Sequence, residues 1–325
     1  MDHYQDEYWN DLPEVRGYMC RRATGDSSVW WMDYFKEHYA AAPRKRALVF
    51  GCGNGWVERD LYDRRVAERF DAFDCSPAYL EQAMRDRGDR AISYSQADFD
   101  TYRPRGRYDL LVNVASLHHV RYLYRMLALL WDALEDDGVF VHWEYVGPSR
   151  NQYSDHHLAI LRGINGALPP RFRTPHPLRH DLATFLGGDP TEAVHAADIL
   201  PALDLLFQPV ERRLLGGGVA YQILWNNLRE FRKQDGEAKE TLDWLLRLDD
   251  SLTESGAVPS LFAFLIYRKR SAPARQALLR KFVQEPAREA FARASGGCYP
   301  TEVVQSLSRR ATRFLRTALD VGQQV

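Results

Sequence analysis

At 325 residues the chain is long enough to bury a sizeable core, as one large domain or two small ones, and its 45% hydrophobic and 27% charged residues are those of an ordinary globular protein. A net charge of −1 argues against a general nucleic-acid or membrane-surface binder, which would carry a basic excess. Cys20, Cys52, Cys75 and Cys298 show no close pairing, the acidic N-terminus lacks an apolar leader, and no run approaches ~20 apolar residues, so the expectation is a cytoplasmic protein with reduced thiols and no membrane span.

Residues 1–46 are dense in aromatic rings, among them Trp9, Tyr18, Trp30, Trp31 and Phe35, and Ser28–Ala42 reads as a helix that Pro43 terminates. The apolar run Ala47-Leu-Val-Phe then breaks into Gly51, Gly53 and Gly55 before a helical pattern from Trp56. That is a buried strand, a tight turn and a helix N-terminus, a junction suited to an anionic group or a cofactor. A dinucleotide fingerprint would need Gly or Ala where Trp56 stands, and a P-loop would need a Gly-Lys pair that is absent.

Strands follow near 70–75, 91–97, 108–114 and 138–146, separated by helices near 55–68, 77–88 and 121–135. The alternation predicts a parallel sheet covered on both faces, with ligands at the carboxyl ends of its strands. Asp74 ends the second strand about 20 residues beyond the glycines, where such folds place an acid on ribose hydroxyls. Asp98-Phe99 close the third strand, His118-His119 follow the fourth, and His142 and Glu144 share one side of the fifth.

From Gly147 to about Pro201 prolines interrupt the pattern around a helical piece at 154–167. Five arginines, at 150, 162, 171, 173 and 179, face a single acid, Asp155, which reads either as a positive substrate-binding face or as a solvated surface. A sixth strand begins at Glu211, helices fill 219–250, and a last strand spans 260–269. Helical patterning at 274–283 and 301–319 gives the tail an apolar face for the core or for a second subunit.

With these surroundings G-x-G-x-G resembles motif I of the class I S-adenosylmethionine-dependent methyltransferases, a resemblance covering roughly 45–270, strongest to residue 146. It implies an α/β fold: a doubly wound, mainly parallel seven-stranded sheet with an antiparallel last strand, an insertion after strand 5 and a helical C-terminal tail. Its parts would be an aromatic-rich N-terminal lid (1–46), a cofactor-binding domain (47–270) holding a substrate-binding insertion (147–203), and a tail (271–325) able to form a homodimer. The cofactor implied is S-adenosyl-L-methionine, contacted by Gly51, Cys52, Gly53, Gly55, Asp74, Cys75, Asp98, Phe99, Asn113 and Ala115.

Methyl transfer from a sulfonium chiefly needs alignment of donor and acceptor, and a hydroxyl acceptor also needs a base. His119, His118 and Glu144 are the candidates in that order, each with a structural role as its alternative, and Tyr145, Arg150, Arg171 and Arg173 are expected at the substrate. The acceptor expected is a small molecule, acidic if the arginines bind it: a sugar, a nucleotide-linked sugar or a natural-product scaffold, with oxygen favoured over nitrogen. A protein or RNA methyltransferase and a non-catalytic cofactor-binding subunit are the rival functions. No metal is expected, since His156-His157 lack ligand partners nearby and His142-Trp-Glu144 lacks the cysteine pair of a zinc deaminase.

Overall fold

The computed structural model describes residues 8–174, 181–182, 187–225 and 227–270. The tail at 271–325 and Arg179 lie outside them. Seven strands form one sheet in the order β3-β2-β1-β4-β5-β7-β6. They are β1 (Ala47–Phe50), β2 (Phe70–Asp74), β3 (Ile92–Gln96), β4 (Tyr108–Val114), β5 (Leu134–Tyr145), β6 (Phe207–Gly216) and β7 (Phe262–Lys269). The first five pair in parallel, and β7 enters antiparallel between β5 and β6, with Trp143 opposite Phe264 and Glu144 opposite Ala263. β1 is wholly buried, as its unbroken apolar run requires, whereas the edge strands β3 and β6 expose several residues.

The helices are α1 (Pro13–Thr24), α2 (Trp31–Tyr39), α3 (Trp56–Asp63), α4 (Pro77–Asp86), α5 (Leu123–Ala133), α6 (Asp155–Ala167), α7 (Ile199–Leu206), α8 (Ala220–Trp225), α9 (Leu228–Phe231) and α10 (Gly236–Glu254). The expected helix over 28–42 is the shorter α2, and α1 precedes it unforeseen although Pro13 opens it and Gly25 caps it at φ 90°. Burial explains why residues 8–40 fold: Trp31 and Phe35 are fully buried, and Trp31 stacks on Trp143 at 6.0 Å. The sixth strand starts at Phe207, four residues before its expected start, and the helical stretch after it divides into α8, α9 and α10.

Two carboxylates, Asp249 fully buried and Glu211 partly, tie the N-terminal helices down. Asp249 of α10 accepts from Tyr18 Oη of α1 at 2.6 Å and from the amides of Gly217, Val219 and Ala220. Glu211 of β6 accepts from Tyr34 and Tyr39 of α2 at 2.8 and 2.9 Å.

Candidate active site

The strand order reverses between β1 and β4, and the glycine turn leaves β1 at that point. Gly51, Gly53 and Gly55 all take left-handed φ values of 61°, 54° and 79°. A Cβ on Gly51 would come within 2.5 Å of Ser116 Cβ, and one on Gly55 within 2.5 Å of Tyr94 Oη, so the turn needs glycine for space as well as for conformation. Asp74 closes over the turn from β2: one carboxylate oxygen accepts from Gly53 N and the other from Ser76 N, both at 2.9 Å. A carboxylate has about four acceptor positions, so two remain for ligand hydroxyls. Phe99 stands beside Gly51, where its ring edge would meet an added Cβ at 3.1 Å, and Asp98 accepts from Asp100 N. Cys52 is buried and Cys75 exposed at the two strand ends.

Glu58, which the sequence reading passed over, lies fully buried beneath Gly55. Burial holds its acid up at about 7, against the lowering effect of its own backbone amide and of Tyr94.

At the end of β4 the backbone turns sharply, with Ala115 at φ 49° and its amide bonded to Trp143 O. This turn rests on Asn113 and Glu144, both completely buried. Glu144 Oε2 accepts from Asn113 Nδ2 and from the amides of Ser116 and Leu117, while Oε1 accepts from Tyr145 N at 2.6 Å and lies 2.5 Å from His118 Nδ1. Asn113 Oδ1 in turn accepts from Ser116 Oγ and Leu117 N. Burial would raise the Glu144 carboxyl, but the His118 charge and these donors hold it below its usual value. The oxygens of Glu144 are thus taken by protein donors, and Asn113 is tied to Glu144, Ser116 and Leu117 in the interior.

His118 and His119 are nonetheless at the surface of this arrangement, with ring centroids 4.2 Å apart. Because a carboxylate can only accept, His118 Nδ1 carries a proton toward Glu144 and turns Nε2 outward. His119 Nδ1 lies 3.2 Å from Thr191 Oγ1, whose own hydrogen goes to Asp189 Oδ1 at 2.6 Å, so Nδ1 donates there too. Both Nε2 atoms converge on Glu192 Oε2, at 3.6 Å from His118 and 3.5 Å from His119. Burial opposes a charge on His118, yet Glu144 and Glu192 outweigh it and lift its pKa to about 10, while burial and the neighbouring His118 push His119 down to about 4.

Asp189, Thr191 and Glu192 belong to the insertion and carried no signal in the sequence. The insertion folds back across the strand ends: Val194 N donates to His118 O, and Arg150 N donates to Ala193 O. Arg150 Nη1 also donates to the carbonyls of Pro190 and Glu192, which makes it a brace for this segment. Arg171 pairs with Asp235 and Glu237, and Arg173 Nε donates to Leu168 O. Each of the three guanidinium groups is thus engaged by its own part of the fold. Tyr145 does reach the site, its ring centroid 6.0 Å from that of His118 in an edge-on arrangement and its hydroxyl donating to Pro148 O. His157 donates from Nε2 to Gly218 O, a structural contact.

Residues 47–138 match the family model of the methyltransferase domain. Among curated proteins none matches the chain. Solved structures similar to it include an S-adenosylmethionine dependent methyltransferase from Mesorhizobium loti (17% identity, 74% of this chain and 97% of that one, TM-score 0.45). The N-methyltransferase NodS from Bradyrhizobium japonicum WM9, in complex with S-adenosyl-l-homocysteine, is 13% identical over 83% of this chain and 93% of that one, with a TM-score of 0.44. The [4+2]-cyclase SpnF is 14% identical over 82% and 97%, at 0.45. The domain match lies over the strands and the glycine turn just described, so residues 47–138 form a methyltransferase domain, the kind of domain that uses S-adenosylmethionine as methyl donor.

Proposed function

We propose that the protein methylates a small-molecule acceptor at oxygen, a sugar, a nucleotide-linked sugar or a natural-product scaffold, with the acceptor held over His118 and His119. The observation that carries this reading is the side-by-side placement of the left-handed glycine turn with Asp74 and the outward-turned imidazole pair, on the ends of the neighbouring strands β1 and β4. Gly51, Gly53, Gly55 and Asp74 hold the ribose and its linkage, and Cys75, Asp98 and Phe99 flank the adenine. Cys52 and Ala115 line the backbone turns toward the methionine end. In the reaction the C–S bond breaks with its electron pair left on sulfur, an O–C bond forms, and the hydroxyl proton passes to the lone pair on His119 Nε2. Glu144 is a positioning residue that fixes the tautomer and direction of His118.

The engaged arginines remove the support for an acidic acceptor and leave a site rimmed by Glu192, Asp189 and Tyr145, suited to a neutral polyhydroxyl molecule. In this reading the described part of residues 1–46 packs the sheet and borders the cofactor, and the described part of 147–203 closes the acceptor side.

Cofactor binding is the first test. Asp74→Ala removes an acceptor for ribose hydroxyls and weakens S-adenosylmethionine binding by about 1–3 kcal/mol in calorimetric titration. A folded variant with unchanged affinity would remove Asp74 from the cofactor site.

A further inference from the structure

The two imidazoles and Glu192 present an unusual electrostatic arrangement. With both histidines neutral, the hydrogen-bond partners on Nδ1 turn the Nε2 lone pairs of His118 and His119 toward the Glu192 carboxylate. Glu144 and Asp189 stand immediately behind, so three carboxylates surround two imidazoles. A cation shared by these atoms, either a proton or a metal ion, offsets the negative surround.

We propose that His118 Nε2, His119 Nε2 and a Glu192 carboxylate oxygen form a binding site for a first-row transition dication. Among the described residues this is the one group of three whose ligating atoms lie within 4.8 Å of one another. Neighbouring ligand atoms around a tetrahedral or octahedral ion with bonds of about 2.1 Å are roughly 3.0–3.4 Å apart. The separations here, 3.5 and 3.6 Å, need only a few tenths of an ångström of contraction. The outer partners are those a metal site requires. A ligating histidine is normally oriented by a carboxylate or other acceptor on its second nitrogen, and Glu144 does this for His118 while Thr191, itself held by Asp189, does it for His119.

Two imidazoles and one carboxylate suit zinc, iron, cobalt or manganese better than magnesium or calcium, which prefer oxygen alone. Three protein ligands leave coordination positions open, and the side chains of His119 and Glu192, 29% and 30% exposed, give the ion a route from solvent. The inference rests on the methyl-transfer reading for its use: the open positions would take the acceptor's oxygen and favour its deprotonated form, the proton passing to water rather than to His119.

The full-length protein, stripped with chelator, is titrated with cobalt(II) and followed by visible absorption and by the shifted imidazole signals in proton NMR, with S-adenosylmethionine affinity measured on the same samples by calorimetry. One equivalent of cobalt(II) is expected to bind with two exchangeable shifted imidazole N–H signals, one per histidine. His119→Gln and Glu192→Gln should each weaken it at least tenfold, and Glu144→Gln by about 10–100-fold through the orientation of His118. His38→Gln, far from the site on α2, should leave it unchanged. Binding that is absent in the wild type, or equal in wild type, His119→Gln and Glu192→Gln, would overturn the site and leave a proton as the shared cation. Cofactor affinity separates the two conclusions, since a protein that binds S-adenosylmethionine but no cobalt loses only the metal site.

Discussion

At the residue scale two positions beneath the cofactor turn can be tested without reference to the acceptor. Gly51 has φ 61°, and its missing Cβ would overlap Ser116, which is itself pinned by hydrogen bonds of 2.8 Å to Phe50 O and Asn113 Oδ1. Gly51→Ala must therefore strain the backbone and displace a fixed neighbour, and a loss of at least about 2 kcal/mol in urea denaturation is expected. A variant as stable as the wild type would mean that the turn relaxes freely. Glu58 offers a test in pH. Its folded pKa of about 7 lies above the ordinary 4.5, so its contribution is intact below about 4.5 and is lost as pH rises through 7. Glu58→Gln should thus gain on the wild type with increasing pH, reaching about 3 kcal/mol near pH 8. Denaturation series at pH 5 and pH 8 check this, and a constant difference would show that Glu58 stays in contact with water. Residues such as Gly51 and Asp74 were legible because a local turn announces itself in neighbouring letters. Glu58 was not, because burial of a carboxylate on a short amphipathic helix depends on what covers it.

At the scale of elements the N-terminal helices hang on few buried groups. Asp249 joins α1, α10 and the start of α8 through Tyr18 and three amides, and it has no solvent exposure. Asp249→Ala leaves four donors without an acceptor, and a loss of about 3–5 kcal/mol is expected, read as a lowered urea midpoint with unchanged slope. A loss below about 1 kcal/mol would place water or another acceptor there. Strands and helices from 47 to 146 were readable in the sequence because each is set by periodicity and by its own turn residues. α1 was missed although Pro13 and Gly25 mark its ends, since its polar surface gave no clear apolar stripe; its stability comes from β6 and α10, far along the chain.

At the scale of the whole molecule the candidate site is assembled from segments remote in sequence. The glycine turn and the histidine pair come from β1 and β4, which the sheet order makes neighbours, and the alternation of strands and helices anticipated that. Glu192 arrives 73 residues after His119 on an irregular stretch, and only the return of the insertion over the strand ends brings it near. No periodicity encodes such a return, which is why the arginines, conspicuous in the letters, were assigned to the substrate while the acids that stand beside the histidines went unnoticed.

The insertion of β7 between β5 and β6 also fixes an order of events on the ribosome. While residues up to about 260 emerge, β5 has one side unpaired and β6 has no partner in the sheet, although the strands that carry the cofactor turn are already complete. The nascent protein must then keep a twelve-residue apolar-rich edge from pairing with other chains until the last strand is made. A premature stop just short of Phe262 would spare the glycine turn and both histidines, yet it would leave β5 as an open edge and β6 without a partner, where the finished molecule joins the two through β7.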